Sequence, residues 1–152
     1  MSEVTVQRLF NDNAAKLRLD WVVGEKYADK KFCHDMVQKP SFALVGHLNF
    51  IHPNSIQVLG STEINYLRDL GEEQAMSALE PLSHSKQLSL IIIASSEIIL
   101  PCLRDFCMAH HIPLLYSAEQ SPYLMDVLRF YLVKMLAVST TLHGVFLDVL
   151  EV

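Results

Sequence analysis

The stretch "LSLIIIAS" at residues 88–95 constrains the fold of this chain more than any other. Its consecutive isoleucines put branched side chains on both faces of a strand, because successive Cβ atoms point to opposite sides. A strand apolar on both faces belongs inside a sheet. Its neighbours agree. "SIQVLG" at 55–60 reads as another buried strand and "IPLLYS" at 112–117 as a third. Between them, Ser61-Thr62 caps a helix through Leu70, with Ile64, Leu67 and Leu70 on one side. A second helical segment over 72–80 stops at Pro81, and a helix over 98–111 presents Ile99, Leu103, Phe106 and Cys107 on one face. Residues 55–117 thus alternate strand, helices, strand, helix, strand. That order predicts an α/β fold, a small parallel or mixed β-sheet flanked by helices, with right-handed crossovers.

The outer segments extend this plan. Thr5 caps a first helix in which Val6, Leu9, Phe10, Ala14 and Leu17 recur at helical spacing. "DWVVG" at 20–24 is a short strand ending on Gly24, and residues 25–40 read as irregular with room for one short strand. Pro40 suits the first position of a short helix holding Phe42, Leu44 and Val45. Ser121-Pro122 opens the longest helix, through about Leu136, with Asp126 near its start and Lys134 near its end to suit the helix dipole. Residues 137–143 then form a hinge. The final stretch, "TTLHGVFLDVLEV" at 140–152, alternates Val145, Leu147 and Val149 with Phe146, Leu150 and Val152, the pattern of a core strand.

Composition removes several classes of function. The 152 residues are enough for one domain, and 51% apolar against 19% charged residues argues for a folded chain. The net charge of −5 comes with no basic cluster beyond Lys30-Lys31, which argues against a nucleic-acid partner. The start lacks a basic segment followed by an apolar one, so no signal peptide is expected. Leu88–Leu103 is too short and too broken by Ser95, Ser96, Glu97 and Pro101 to span a bilayer, so no membrane partner is expected. Cys33, Cys102 and Cys107 form no dense framework and read as reduced thiols of a cytoplasmic protein.

Four groups of residues carry chemistry worth weighing. Cys107, His110 and His111 could share a helical face and supply part of a zinc set, but no second Cys/His cluster completes it. The simpler reading packs Cys107 in the core and leaves the histidines at the helix end, with no metal. Ser139, His143 and Asp148 are the residue types of a hydrolase triad, yet His143 and Asp148 fall on opposite faces of one strand. Glu72-Glu73 reads as a solvated helix start, and Cys33-His34 diverge as neighbours. The glycines at 24, 46, 60, 71 and 144 are scattered and form no phosphate loop. His143-Gly144 stands apart because of the residues around it.

"KPSFALVGHLNFIHPNSIQVLGSTE" at 39–63 resembles the N-terminal signature of the bacterial HPr kinase/phosphorylase family. The most specific parts are Ile56-Gln57-Val58-Leu59-Gly60-Ser61-Thr62-Glu63 and the Thr-Thr-Leu-His-Gly-Val run at 140–145. The chain departs from the family pattern at Lys39, Ser41, Asn49, His52, Ser55 and the Ala94-Ser95-Ser96 strand end. The resemblance implies the fold shared by that family's N-terminal domain and, by analogy, the MurF substrate-binding domain. It implies an N-terminal domain over 1–137 and, over 138–152, a linker and first strand of a catalytic domain. It implies phosphorylation of a serine of the phosphocarrier HPr with ATP or pyrophosphate and magnesium, reversal by phosphorolysis, control of carbohydrate catabolism, and a hexameric assembly. His143 is then the catalytic candidate, acting only in a longer protein. The phosphate loop, lysine, magnesium ligand and carboxylate base are expected beyond residue 152, with no cofactor on this segment alone. The alternative is a free-standing module that binds a small metabolite.

Overall fold

Thr5 adopts the extended backbone of a helix cap, and its hydroxyl accepts a hydrogen bond from the Arg8 amide at 3.1 Å. The first helix therefore begins where the sequence predicts. The computed structural model describes residues 4–32, 45–47, 54–85 and 88–141. In chain order these form β1 (Val4–Thr5), α1 (Val6–Leu17), β2 (Leu19–Val23), β3 (Lys31–Phe32), β4 (Val45–His47) and β5 (Ile56–Leu59). There follow α2 (Ser61–Leu70), α3 (Glu72–Leu79), β6 (Leu90–Ile93), α4 (Pro101–Ala109), β7 (Leu114–Ser117) and α5 (Ser121–Thr141). Short 3₁₀ turns occupy Glu25–Tyr27 and Glu80–His84.

The main sheet has the order β2-β7-β6-β5-β4. Strands β4 to β7 run parallel, and β2 pairs with β7 antiparallel at one edge. β1 and β3 make a separate antiparallel ribbon. The sheet is thus mixed, with its parallel part in the predicted α/β segment.

Alternation along β6 explains how one sheet carries two cores. Leu90 and Ile92 face the side covered by α1 and α5, beside Ile56, Val58 and Leu115. Ile91 and Ile93 face α2, α3 and α4, beside Leu59 and Leu114. All four β6 side chains are fully buried. Each such aliphatic contributes ~1.5–3 kcal/mol relative to exposure.

Several expectations need correction. Val45 belongs to strand β4, not to a short helix; it pairs with Ile56, and Arg129 Nε donates to its carbonyl at 3.1 Å. Residues 40–44, including Pro40, Phe42 and Leu44, lie outside the described residues. The cap of α2 is Gly60, with Ser61 already helical. A side chain at residue 60 would meet the Ser121 hydroxyl at 3.0 Å, so the chain crosses there as glycine. Helix α4 starts at Pro101, three residues later than predicted, because a proline disfavours helix in the residue before it, and Leu100 is extended. Ile99 is consequently 40% exposed on a loop, while Leu103, Phe106 and Cys107 are buried as predicted. Pro81 ends the α-helical geometry of α3 but continues as a 3₁₀ turn. The first part of the predicted hinge, 137–141, is helical. No glycine or proline occurs between Pro122 and Thr141 to stop α5. The rest of the hinge and the predicted strand at 144–152 lie outside the described residues.

Candidate functional site at the carboxyl edge of the sheet

Four parallel strands end on one edge of the sheet, the edge where α/β folds collect their ligand-binding groups. His47 ends β4, Gly60 follows β5, residues 94–100 follow β6, and residues 118–120 follow β7, which ends on Ser117. The Glu63 carboxylate, mostly buried, ties two of these ends together. Its Oε1 accepts a hydrogen bond from the Gly60 amide at 2.8 Å, and its Oε2 lies 3.5 Å from His47 Nδ1.

The β6 and β7 ends are knitted to each other. Ser95 and Ser96 take left-handed backbone, φ 58° and 54°. That turns the Ser95 amide onto the Glu119 carbonyl (2.7 Å) and the Ser96 amide onto the Ser117 carbonyl (3.0 Å). The Ser117 hydroxyl donates to the Leu17 carbonyl at 2.6 Å and accepts from the Glu119 amide at 3.0 Å. Arg18 Nε reaches Glu119 Oε2 at 2.9 Å. The amides of Ser95, Ser96 and Glu97 are all used internally. This turn is therefore a latch joining α1 to the sheet edge rather than an open ring of amides for phosphate.

A groove of about 500 Å³ opens beside the latch, between β2 and α4. Trp21 and Tyr116 give it aromatic walls, Ile99 and Pro101 line it, and Asp20 and Arg104 supply opposite charges. A smaller cleft of about 210 Å³ lies between the end of α2 and the start of α4, bordered by Leu67, Arg68, Glu72 and Cys102. These two spaces can take small apolar or aromatic groups.

Cys107, His110 and His111, singled out by sequence, do not converge. Burial pushes the Cys107 thiol well above its ordinary range. The His110 ring lies against Phe106, centroids 4.6 Å apart, and its Nε2 is 3.9 Å from Glu80. His111 leaves the helix in left-handed backbone and stacks on Tyr27 at 4.4 Å. The helix closes between them, with the Ile112 amide on the Cys107 carbonyl. The shared helical face therefore never forms, and no group of three or more His, Cys, Asp or Glu side chains is placed to hold a metal among the described residues. Glu72 and Glu73 are solvated at the start of α3, as expected. Ser139 lies on α5, whereas Cys33, His34, His143 and Asp148 lie outside the described residues. Sequence reasoning missed the His47–Glu63 pair and the Ser117–Glu119–Arg18 latch. Glu63 did carry a signal, since an acidic residue at the third helical position is a capping residue. No helix among the described residues is long and apolar enough to cross a membrane.

Fold and edge together define a small α/β domain, a mixed sheet between two helical layers with an internally bonded carboxyl edge. Residues 4–132 match the family described as HPr Serine kinase N terminus, and the chain belongs to that family. Among its relatives, the HPr kinase/phosphorylase of Chromobacterium violaceum is 51% identical over 152 residues, covering 100% of this chain and 47% of that protein. The protein of the same name from Neisseria gonorrhoeae is 48% identical with the same coverage. That from Nitrosomonas europaea is 39% identical over 150 residues, 99% of this chain and 46% of the relative. The chain thus spans about half the length of the curated relatives it matches.

Proposed function

We propose that this chain is the N-terminal regulatory and assembly part of a bifunctional HPr kinase/phosphorylase. The longer protein transfers a phosphoryl group from ATP or pyrophosphate to a serine of HPr and removes it by phosphorolysis, controlling carbon catabolism in the cytoplasm as a homo-oligomer, a hexamer. The observation that carries this reading is the extent of the similarity. Identity of 51% to a protein of that name covers all 152 residues, including the Thr-Thr-Leu-His-Gly-Val run at 140–145. Residues 1–137 form the regulatory domain, and 138–152 lead into the catalytic one.

Phosphoryl transfer needs amides and a lysine around the phosphates, magnesium and a base for the serine hydroxyl. In this reading the nucleotide and magnesium are held by the part of the longer protein that follows these residues. The amides of Ser95, Ser96 and Glu97 bond within the chain, and no group of three or more His, Cys, Asp or Glu side chains is placed to hold a metal among the described residues. No step of the transfer is therefore assigned to these residues. His143 contributes in the longer protein, contacting the transferring phosphate or moving a proton beside it. Incubated with HPr, magnesium and labelled ATP, the 152-residue chain should leave HPr unlabelled. The longer protein should label it, and His143→Ala should lower that turnover by about 10²-fold, as for one proton-transferring group. Labelling by the short chain would refute the domain assignment, and unchanged turnover would return His143 to a structural role.

The groove between β2 and α4 favours one alternative, a free-standing module binding a small metabolite. The reading frame after codon 152 separates the two. Continuation into a glycine-rich phosphate loop supports the kinase reading, and a stop codon supports the module.

A further inference from the structure

The register of β2 on β7 places Asp20 opposite Tyr116, so the two side chains share one face of the sheet. Alternation puts Val22 on that face as well. It is the face covered by α4, since Val22 and Tyr116 pack against the core formed there. Pro101 and Arg104 stand three residues apart on α4 and border the same space. Between strand and helix lies the groove of about 500 Å³, an ordinary size for a small-molecule site. Ile99, kept out of the helix by the extended Leu100, adds an apolar rim.

Two charges on opposite walls decide what the groove accepts. Asp20 on β2 and Arg104 on α4 both line it, and both are exposed. Neither side chain makes an ion pair or a hydrogen bond among the described residues. Arg18, at the same edge of the sheet, is by contrast held by Glu119. Asp20 and Arg104 are thus each open to a ligand group of opposite sign. A nucleotide or other phosphate would meet Arg104 but be repelled by Asp20, and a polyamine would meet the reverse. A neutral apolar molecule would leave both charges unused. A zwitterion satisfies both, and Tyr116 offers it a ring to pack on.

We propose that this groove binds a small zwitterion with a ring, of the class of the free aromatic amino acids. The ammonium pairs with Asp20, the carboxylate pairs with Arg104, and the ring packs on Tyr116 and Pro101. The inference goes beyond the kinase reading and is independent of it. Both charges are open to solvent, where an ion pair contributes little. The dissociation constant should therefore be on the order of millimolar.

Phenylalanine is a suitable probe, because the chain has one tryptophan, Trp21, and it borders the groove. Excited where phenylalanine does not absorb, Trp21 should report saturable binding to the 152-residue chain, with calorimetry as a second measure. Phenylpropionate lacks the ammonium and phenethylamine lacks the carboxylate. Each should bind about fivefold more weakly than phenylalanine, the upper end for an ion pair open to solvent. Asp20→Asn should weaken phenylalanine by a similar factor without weakening phenylpropionate. Arg104→Gln should weaken phenylalanine without weakening phenethylamine. Both positions are exposed, and unchanged circular dichroism would show that the variants fold. No saturable binding of phenylalanine at about 50 mM overturns the site. So does equal binding of all three compounds, or variants that bind phenylalanine as the unmodified chain does. The kinase reading fails on a different result, an inactive longer protein.

Discussion

Cys107 is a thiol whose titration is coupled to folding. It lies on the buried face of α4, fully covered, and desolvation pushes it far above its usual range. In the unfolded chain it titrates near ~8.5. Its folded value is the higher one, so its contribution is intact below about pH 8.5 and is lost as pH rises toward the folded value. Burial, then the Glu72 and Asp105 charges, raise Cys102 as well, and burial followed by the Asp12 hydrogen bond raises Tyr131. Tyr131 acts only above its unfolded value of about 10, so pH 8.5–9.5 isolates the thiols. Urea denaturation over that window should show stability falling, by up to about 1.4 kcal/mol per pH unit for each thiol at its steepest. Cys107→Ala should be less stable at pH 7 yet show a shallower alkaline decline. An equal slope in the variant would show that Cys107 is not the group responsible. Gly24 illustrates a different residue-scale constraint: its φ of 82° and the Ile112 carbonyl 2.9 Å from where a Cβ would lie leave space for glycine alone.

Helix α2 shows how one element end is held by a side chain of the element itself. Gly60 has no side chain to cap with, so Glu63 reaches back to its amide. Glu63→Ala should cost about 1 kcal/mol, the usual value of a lost cap. Glu63→Gln keeps a carbonyl acceptor and should cost less, losing mainly the interaction with His47. Chemical denaturation of both variants measures the difference, and equal losses would assign the role to charge rather than to capping. Helix α4 is positioned by Pro101 and helix α1 by Thr5, so three of the five α-helices among the described residues begin at residues that can be pointed to in the sequence. Only the choice between Gly60 and the adjacent Ser61-Thr62 required the neighbouring Ser121.

At the scale of the molecule, one sheet serves both cores. Ile92 and Ile93 are consecutive, fully buried, and face opposite layers. Truncating either to alanine should cost about 2–5 kcal/mol. Because β6 is shared, each loss should be felt by the whole domain. Trp21, packed on Phe10 beside α1 with centroids 5.0 Å apart, reports the first layer by fluorescence. Far-ultraviolet circular dichroism reports the helices of both. In Ile93→Ala the two probes should follow one coincident urea transition at a lower midpoint. Separate transitions would mean that the layers unfold independently.

The sequence by itself determined the strands at 55–60, 88–95 and 112–117, the helices between them and the α/β class, and it carried the motif at 56–63 that points to the family. These rest on periodicity and capping, which act over a few residues and are therefore written locally. Only the tertiary structure decided the rest. Val45 became a strand because Ile56 and Arg129 await it at the sheet edge. Cys107, His110 and His111 diverged because the helix closes between them. The latch joins Arg18 to Glu119, 101 residues apart, and Ser117 to Leu17, 100 residues apart. A contact of that span depends on how the sheet brings distant segments together, and no local pattern of residue types encodes it.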